Sequence, residues 1–317
     1  MTETRQKTTT VLMLGGAKRV SFARLLIDAG RRRGTDVRIL SYETIHTVPI
    51  ACVGTIVAGR RWSDPDIIGH LSQIVDSEHV DIVLPFVDGA IEICSRLKER
   101  RPDVFIPVSD YATAHAMFDK KAAAAAFAEK GIDIPATYTS GNCRFPAILK
   151  PREGSASKGI IVAHEKEELL RAGNLDNYLI QEYIADRDEY TVDCYVSTID
   201  GRVLCAVPRL RISTSGGEVD RTQTRRIPAL IDTSKKILKA FGFAGPVTLQ
   251  FIHDKTADRH LLMEINPRLG GGVVCSIRAG ADIAEMILTE AAGSAAAEMP
   301  DWRDGALMAR YFSEVMF

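Results

Sequence analysis

The chain has 317 residues, of which 46% are hydrophobic and 26% charged, with Lys+Arg 40 against Asp+Glu 41 and a formal net charge of -1. This balance excludes a disordered or fibrous polypeptide and gives no clustered positive field of the kind that holds nucleic acid. No apolar run approaches the roughly 20 residues of a membrane span, and the polar start from Met1 to Thr10 is unlike a signal segment, so a cytoplasmic protein with neither membrane nor nucleic-acid partners is expected.

At roughly 100–200 residues per domain the length implies two or three domains. Thr10-Val-Leu-Met-Leu-Gly-Gly predicts a strand ending in a glycine turn, and Arg19 to Arg33 predicts an amphipathic helix. Strand composition returns at Asp36 to Leu40 and at Val80 to Pro85, with helical patterns at Ile67 to Glu78 and Gly89 to Arg101. This alternation predicts a doubly wound parallel sheet over 1–112. One helix is expected from Ala114 to Lys130, where alanines fill 122 to 126.

Beyond it the pattern turns to hairpins. Phe145 to Lys150 and Lys158 to Ala163 read as strands joined by the small-residue loop from Pro151 to Ser157, and Glu165 to Ala172 as a short helix. Tyr178 to Ile184 is a further strand, and Tyr190 to Ser197 pairs with Arg202 to Pro208 around Asp200-Gly201. A helix over Thr233 to Phe241 leads to the strand Pro246 to His253, which turns over to His260 to Asn266; a last helix starts near Asp282. The stretch from Arg209 to Arg226 reads as a loop. Six cysteines lie scattered without a CxxC pair, which predicts buried free thiols.

Glu264 and Asn266 stand two apart on one strand and so share a face, with Gln250 on the preceding strand. A carboxylate with amide oxygens suits Mg²⁺, which keeps waters and shares substrate phosphates. Alone, Glu-Ile-Asn-Pro reads as a strand running into a turn; a second group of residues reverses that reading. Lys150 leaves an apolar strand beside a small-residue loop, where with Lys120 it can reach a polyphosphate while loop amides donate. Glu182 and Glu189 flank a strand-turn-strand, placed for ribose hydroxyls, with backbone at Tyr183 and Ile184 facing an adenine edge. Among the arginines at 209, 211, 221, 225 and 226, at least one is expected on phosphate or an acyl substrate, and Arg278 is placed to clamp a carboxylate. The chain contains neither HExxH nor GxxxxGK[ST].

In order and spacing, Asp119-Lys120, Leu149-Lys150-Pro151, Gln181-Glu182-Tyr183-Ile184, Glu189-Tyr190 and Leu262-Met-Glu-Ile-Asn-Pro-Arg268 resemble the nucleotide and metal motifs of the ATP-grasp superfamily. The likeness is to its carboxylate-amine ligases and to the carbamoyl phosphate synthase large subunit. It covers nearly the whole chain, and Gly15 to Arg19 and Leu84 to Asp88 are similar to the unit that precedes the grasp. The resemblance implies an α/β pre-grasp domain (1–112), a small lid subdomain (113–185) and a large subdomain with the metal site (186–317), the last two gripping ATP. Lys120 and Lys150 would hold the α- and β-phosphates, Glu182 with the backbone at 183 and 184 the adenine side, and Glu189 the ribose. Gly154, Ser155 and Ser157 would donate from the hairpin tip, which would close as a lid. Gln250, Glu264 and Asn266 would bind one or two Mg²⁺, with Mn²⁺ as a substitute, and Arg268 with Lys150 would act on the transferred phosphoryl group. Arg211, Arg225 and Arg278 are the substrate candidates. The implied activity joins a small carboxylate to an amine with release of ADP and phosphate, and a homodimer is the assembly to expect. A small-molecule kinase and a non-catalytic ATP-binding protein are the alternatives.

Overall fold

Val11, Leu12, Met13 and Leu14 are wholly buried in the first strand, β1 (Thr8–Leu14), as expected of a parallel strand covered on both faces. The computed structural model describes residues 8–154 and 158–317. After β1 come α1 (Val20–Arg32), β2 (Asp36–Glu43), β3 (Thr55–Ala58), α2 (Ile67–Glu78), β4 (Ile82–Pro85) and α3 (Asp88–Arg100). The strands form a parallel sheet in the order β3-β2-β1-β4. Alternation sorts the two faces: Val11 and Met13 pack with Phe22 and Leu26 of α1, whereas Leu12 and Leu14 pack with Leu71 of α2 and Leu97 of α3.

The single helix expected over 114–130 is two, α4 (Tyr111–His115) and α5 (Lys120–Glu129). Asp119 causes the break, because its carboxylate caps α5 by accepting from the amides of Lys121 at 2.9 Å and Ala122 at 3.2 Å. A small antiparallel sheet follows, from β5 (Thr137–Tyr138), β6 (Ala147–Pro151), β7 (Ile161–Ala163) and β8 (Tyr178–Glu182), in the order β5-β8-β6-β7, with α6 (Lys166–Arg171) between β7 and β8.

The larger sheet contains β9 (Arg187–Val196), β10 (Val203–Ser215), β11 (Glu218–Thr224), β12 (Gly245–Asp254), β13 (Arg259–Asn266) and β14 (Leu307–Ala309), in the order β13-β12-β9-β10-β11-β14. The stretch read as a loop over 209–226 is therefore mostly a hairpin, β10 with β11. Helix α7 (Pro228–Phe241) covers one face together with α5, where Phe127 meets Phe241 edge to face at 5.6 Å. The opposite face, with Tyr195, Leu204 and Val207, shares a core with β1, α1, α8 (Val273–Arg278) and α9 (Ile283–Ala291). That shared core brings the ends of the parallel strands up to the edge of the large sheet. Among the described residues no helix is long and apolar enough to cross a membrane. Cys94, Cys194, Cys205 and Cys275 are buried thiols and Cys143 is half-buried, but Cys52 is exposed, because the short turn that carries it lies at the surface.

Candidate active site

A cleft of about 1070 Å³ separates the small sheet from the large one and reaches the end of β4. Its inner end is apolar: Ile148 from β6, Ile184 after β8, and Ile252 and Met263 from β12 and β13 line it. Met263 reaches the cleft through a β-bulge. Gln250 pairs with Glu264 but Phe251 pairs with Leu262, so Met263 is the extra residue, and both it and Glu264 line the cavity. Period-two alternation assigns Met263 to the opposite face, which is why sequence reasoning missed this apolar slot. Apolar side chains of this kind are what a purine ring packs against.

The polar groups follow on the same two strands. Glu264 Oε1 accepts from Gln250 Nε2 at 2.6 Å and from Asn266 Nδ2 at 2.8 Å. The other carboxylate oxygen and the Asn266 amide oxygen meet no hydrogen-bond donor among the described residues. Hard oxygen donors left free beside a fixed carboxylate fit a divalent cation such as Mg²⁺. Gln250 is turned differently: its amide oxygen accepts from Arg211 at 3.1 Å, so it joins such a site only by rotating its amide. Arg211 also lies 3.6 Å from Glu189, and its buried Nε has no hydrogen-bond partner among the described residues. A buried donor left open costs on the order of 1–3 kcal/mol, which an acceptor on a bound anion would recover.

Lys150, on β6, donates to Gln181 Oε1 at 3.0 Å. Burial depresses its ammonium to about 8, against the opposing pull of Glu264 and Glu189. Lys120 stands at the first turn of α5; its ammonium donates to the Gly154 carbonyl at 2.5 Å and its amide to the Arg152 carbonyl at 2.9 Å. Both lysines line the cleft, as do Gly154 and Glu189. Glu189 also accepts from Arg187 Nε at 3.2 Å. Arg268 enters from the turn after β13 and donates to Asp88 Oδ1 at 2.8 Å, at the start of α3. Sequence reasoning quoted Asp88 without giving it a role; its place directly after a parallel strand was the available signal.

Two of the expected roles, those of Arg225 and Arg278, need revision. Glu182 lines the cleft, its carboxylate held by Arg259 at 3.0 Å through each oxygen and by the Ala136 amide at 2.9 Å. The Tyr183 amide is taken by the Pro146 carbonyl at 3.1 Å, but the Tyr183 carbonyl and the Ile184 amide have no partner among the described residues, and both residues line the cleft. Arg225 is exposed and does not line the cleft, because it follows β11 on the outer side of the sheet. Arg278 ends α8 in solvent, likewise away from the cavity, because the helix turns it outward. Ser155 and Ser157 lie outside the described residues.

Beneath the site sits a buried ion pair. Arg209 donates to Asp193 at 2.6 and 3.1 Å and to Thr222 at 3.1 Å, and Ser276 on α8 donates to the same carboxylate at 2.5 Å. A Cβ at Gly272 would lie 2.5 Å from the Arg209 guanidinium, so only glycine lets this turn pass.

Residues 174–313 match the family model described as ATP-grasp in the biosynthetic pathway with Ter operon. Biotin carboxylase 1 of Bacillus subtilis (strain 168) is 29% identical over 143 residues, covering 39% of this chain and 32% of that protein. The match thus spans about a third of that relative's length. A probable alpha-L-glutamate ligase of Alkalilimnicola ehrlichii is 25% identical over 217 residues, covering 63% of this chain and 67% of its own. Among solved structures, the biotin carboxylase domain dimer of Hydrogenobacter thermophilus 2-oxoglutarate carboxylase, in complex with MgADP, ADP and bicarbonate, superposes with a TM-score of 0.75 at 16% identity. That superposition covers 94% of this chain and 73% of the other, and at such identity it establishes the fold.

Proposed function

We propose that this ATP-grasp protein is an ADP-forming carboxylate-amine ligase. The observation that carries the reading is that Lys150, Arg211, Glu264, Asn266 and Arg268 line one cleft together with an apolar group of side chains. In this reading the purine lies in the slot formed by Ile148, Ile184, Ile252 and Met263, and the Ile184 amide donates to its edge. Lys120 and Lys150 hold the phosphates, and Glu189 faces the ribose. Glu264 and Asn266 would hold Mg²⁺, with Gln250 as a further ligand once its amide turns, and Mn²⁺ takes the same oxygen ligands. When bound, the cation offsets phosphate charge and fixes the polyphosphate for in-line displacement.

The chain's own side chains do the rest. A carboxylate oxygen of the acid attacks the γ-phosphorus, the bond from that phosphorus to the bridging oxygen breaks, and ADP leaves. Two anions must approach each other, and Lys150, Arg211 and Arg268 offset the repulsion as charge spreads over the equatorial oxygens. The amine nitrogen then attacks the acyl carbon, the carbon–oxygen bond to phosphate breaks, and an amide, inorganic phosphate and a proton result. Placing positive charge at the γ-phosphate predicts ADP as product, whereas chemistry at the α-phosphate would give AMP and pyrophosphate. The test is a screen of acids with ATP and Mg²⁺ in hydroxylamine: ADP with a hydroxamate supports the ligase. A stable phosphorylated product without hydroxamate makes the protein a small-molecule kinase. Nucleotide binding without turnover on any acid, amine or alcohol makes it a non-catalytic binder.

A further inference from the structure

A second cavity, of about 490 Å³, opens at the carboxyl ends of β1, β2 and β3 and shares Arg19, Val87 and Glu218 with the nucleotide cleft. Some charges in its wall are satisfied internally: Arg19 pairs with Glu218 at 3.0 Å and Arg60 with Asp66 at 3.3 Å. Lys18, Arg61 and Glu43 have no oppositely charged partner among the described residues. Lys18 and Arg61 are exposed at the rim, whereas Glu43 is half-buried at the end of β2. The Ser41 hydroxyl donates to Glu43 at 2.7 Å.

This arrangement decides the kind of ligand. Glycine turns after a first parallel strand commonly offer their amides to a phosphate. Here the Glu43 carboxylate stands beside that turn, so an anion is repelled from the floor and a cation is favoured. Burial raises the Glu43 carboxyl above its ordinary range, although the Ser41 hydroxyl opposes the rise. A bound ammonium would offset that cost. The rim has the opposite sign, and one flank is apolar, where the Tyr42 and Trp62 rings stack at 5.8 Å.

Building on the ligase reading, we infer that this cavity holds the amine substrate as a free α-amino acid, with its ammonium on Glu43, which takes the proton that the nitrogen loses before it attacks, its carboxylate on Lys18 and Arg61, and its side chain along Trp62. The placement suits the chemistry. Val87, which lines both cavities, adjoins Asp88, the partner of Arg268, so the amino acid enters beside the phosphoryl end of the cleft. A plain amine would leave the rim cations unused, and a plain dicarboxylate would face Glu43.

Calorimetric titration of the full chain, with ADP and Mg²⁺ present, uses the common L-amino acids and then the N-acetyl and decarboxylated forms of the tightest binder. Saturable binding of at least one amino acid is expected, weakened roughly ten- to a hundredfold by acetylation, by decarboxylation, by Glu43→Gln and by Arg61→Ala. No binding by any amino acid, or equal affinity in both variants, overturns the assignment. Should Glu43→Gln not fold by circular dichroism, Arg61→Ala and Lys18→Ala, at exposed positions, decide the matter alone. Binding that is lost in these variants, in a protein that forms no acyl phosphate with any acid, would sink the ligase reading and keep the cavity assignment. Acyl phosphate formation with amine binding undisturbed by Glu43→Gln and Arg61→Ala would do the reverse.

Discussion

Lys150 shows how burial prepares a single side chain for an anion. Its ammonium is held at about 8, below the ordinary lysine range, because removal from water outweighs the nearby carboxylates. A lowered lysine burdens folding while the group must be charged: that cost is present below about pH 8 and fades as pH rises towards the unfolded value of about 10.4. Lys150→Met should therefore stabilise the nucleotide-free protein at pH 7 by on the order of 1–2 kcal/mol, with Gln181 losing its partner as the counterweight. Thermal unfolding of both proteins checks this, and a lower midpoint in the variant would contradict it. Binding has the opposite sign. Affinity for a non-hydrolysable ATP analogue should fall as pH passes about 8 in the wild type and stay level in Lys150→Arg, whose charge persists. The oxygen ligands give a second prediction at this scale. Glu264→Gln and Asn266→Ala should each raise the Mg²⁺ concentration needed for half-maximal ADP release by roughly tenfold or more, since each removes a ligand at a rim and leaves the core intact. Unchanged Mg²⁺ titration curves in both variants would remove these residues from the metal site.

Among the elements, α5 couples helix formation to phosphate recognition. Asp119 caps it and also pairs with Arg152 at the end of β6, while Lys120 at its first turn points to Gly154. Asp119→Ala should cost about 1–2 kcal/mol, the usual loss of a helix cap. It should also weaken ATP binding, because Lys120 loses its anchored first turn; a variant of unchanged midpoint and affinity would refute the coupling. Asp119 also marks a limit of the sequence reading. Uninterrupted alanines at 122–126 promise one long helix, and only the cap's own hydrogen bonds reveal the break. In the parallel unit β1 and β4 were legible because they are covered on both faces and read as continuous apolar runs, whereas the short, half-exposed edge strand β3 was not read. Helix α2 over Ile67–Glu78 was read to its ends, since its apolar spacing is undisturbed. The β10–β11 hairpin was not legible: Arg209 is buried there against Asp193, and a buried arginine on a strand looks, in sequence, like a solvated loop residue. In the candidate site, Glu264 and Asn266 were legible by period two, whereas Met263 was hidden by the bulge and the pairing of Glu182 with Arg259 by its span in sequence.

At the scale of the whole molecule, the cleft depends on long-range ties that hold the parallel unit against the large sheet. Glu218, at the start of β11, is clasped by Arg19 and Arg310; burial would raise its carboxyl, but these two guanidinium groups hold it down to about 2. Its stabilising pairs are thus complete above the unfolded value of about 4.3 and are lost as pH falls towards 2. The Arg209–Asp193 pair is buried outright, and Asp193→Ala, which strands the arginine, should cost about 3–5 kcal/mol, read as a large fall in the unfolding midpoint. Arg268 and Asp88, 180 positions apart in sequence, form the tie nearest the chemistry. If Asp88 serves by aiming the Arg268 guanidinium at the phosphoryl group, Asp88→Asn should lower kcat by roughly ten- to a hundredfold while leaving the KM for ATP and the unfolding midpoint nearly unchanged, as loss of an interaction used only in the transition state does. A purely structural tie would lower the midpoint and spare kcat. The decisive measurement is the double-mutant cycle: with Arg268→Ala already present, Asp88→Asn should cost nothing further, because the group it positions is gone. Fully additive losses would show that the two residues act independently, and Arg268 would then need another source of its orientation.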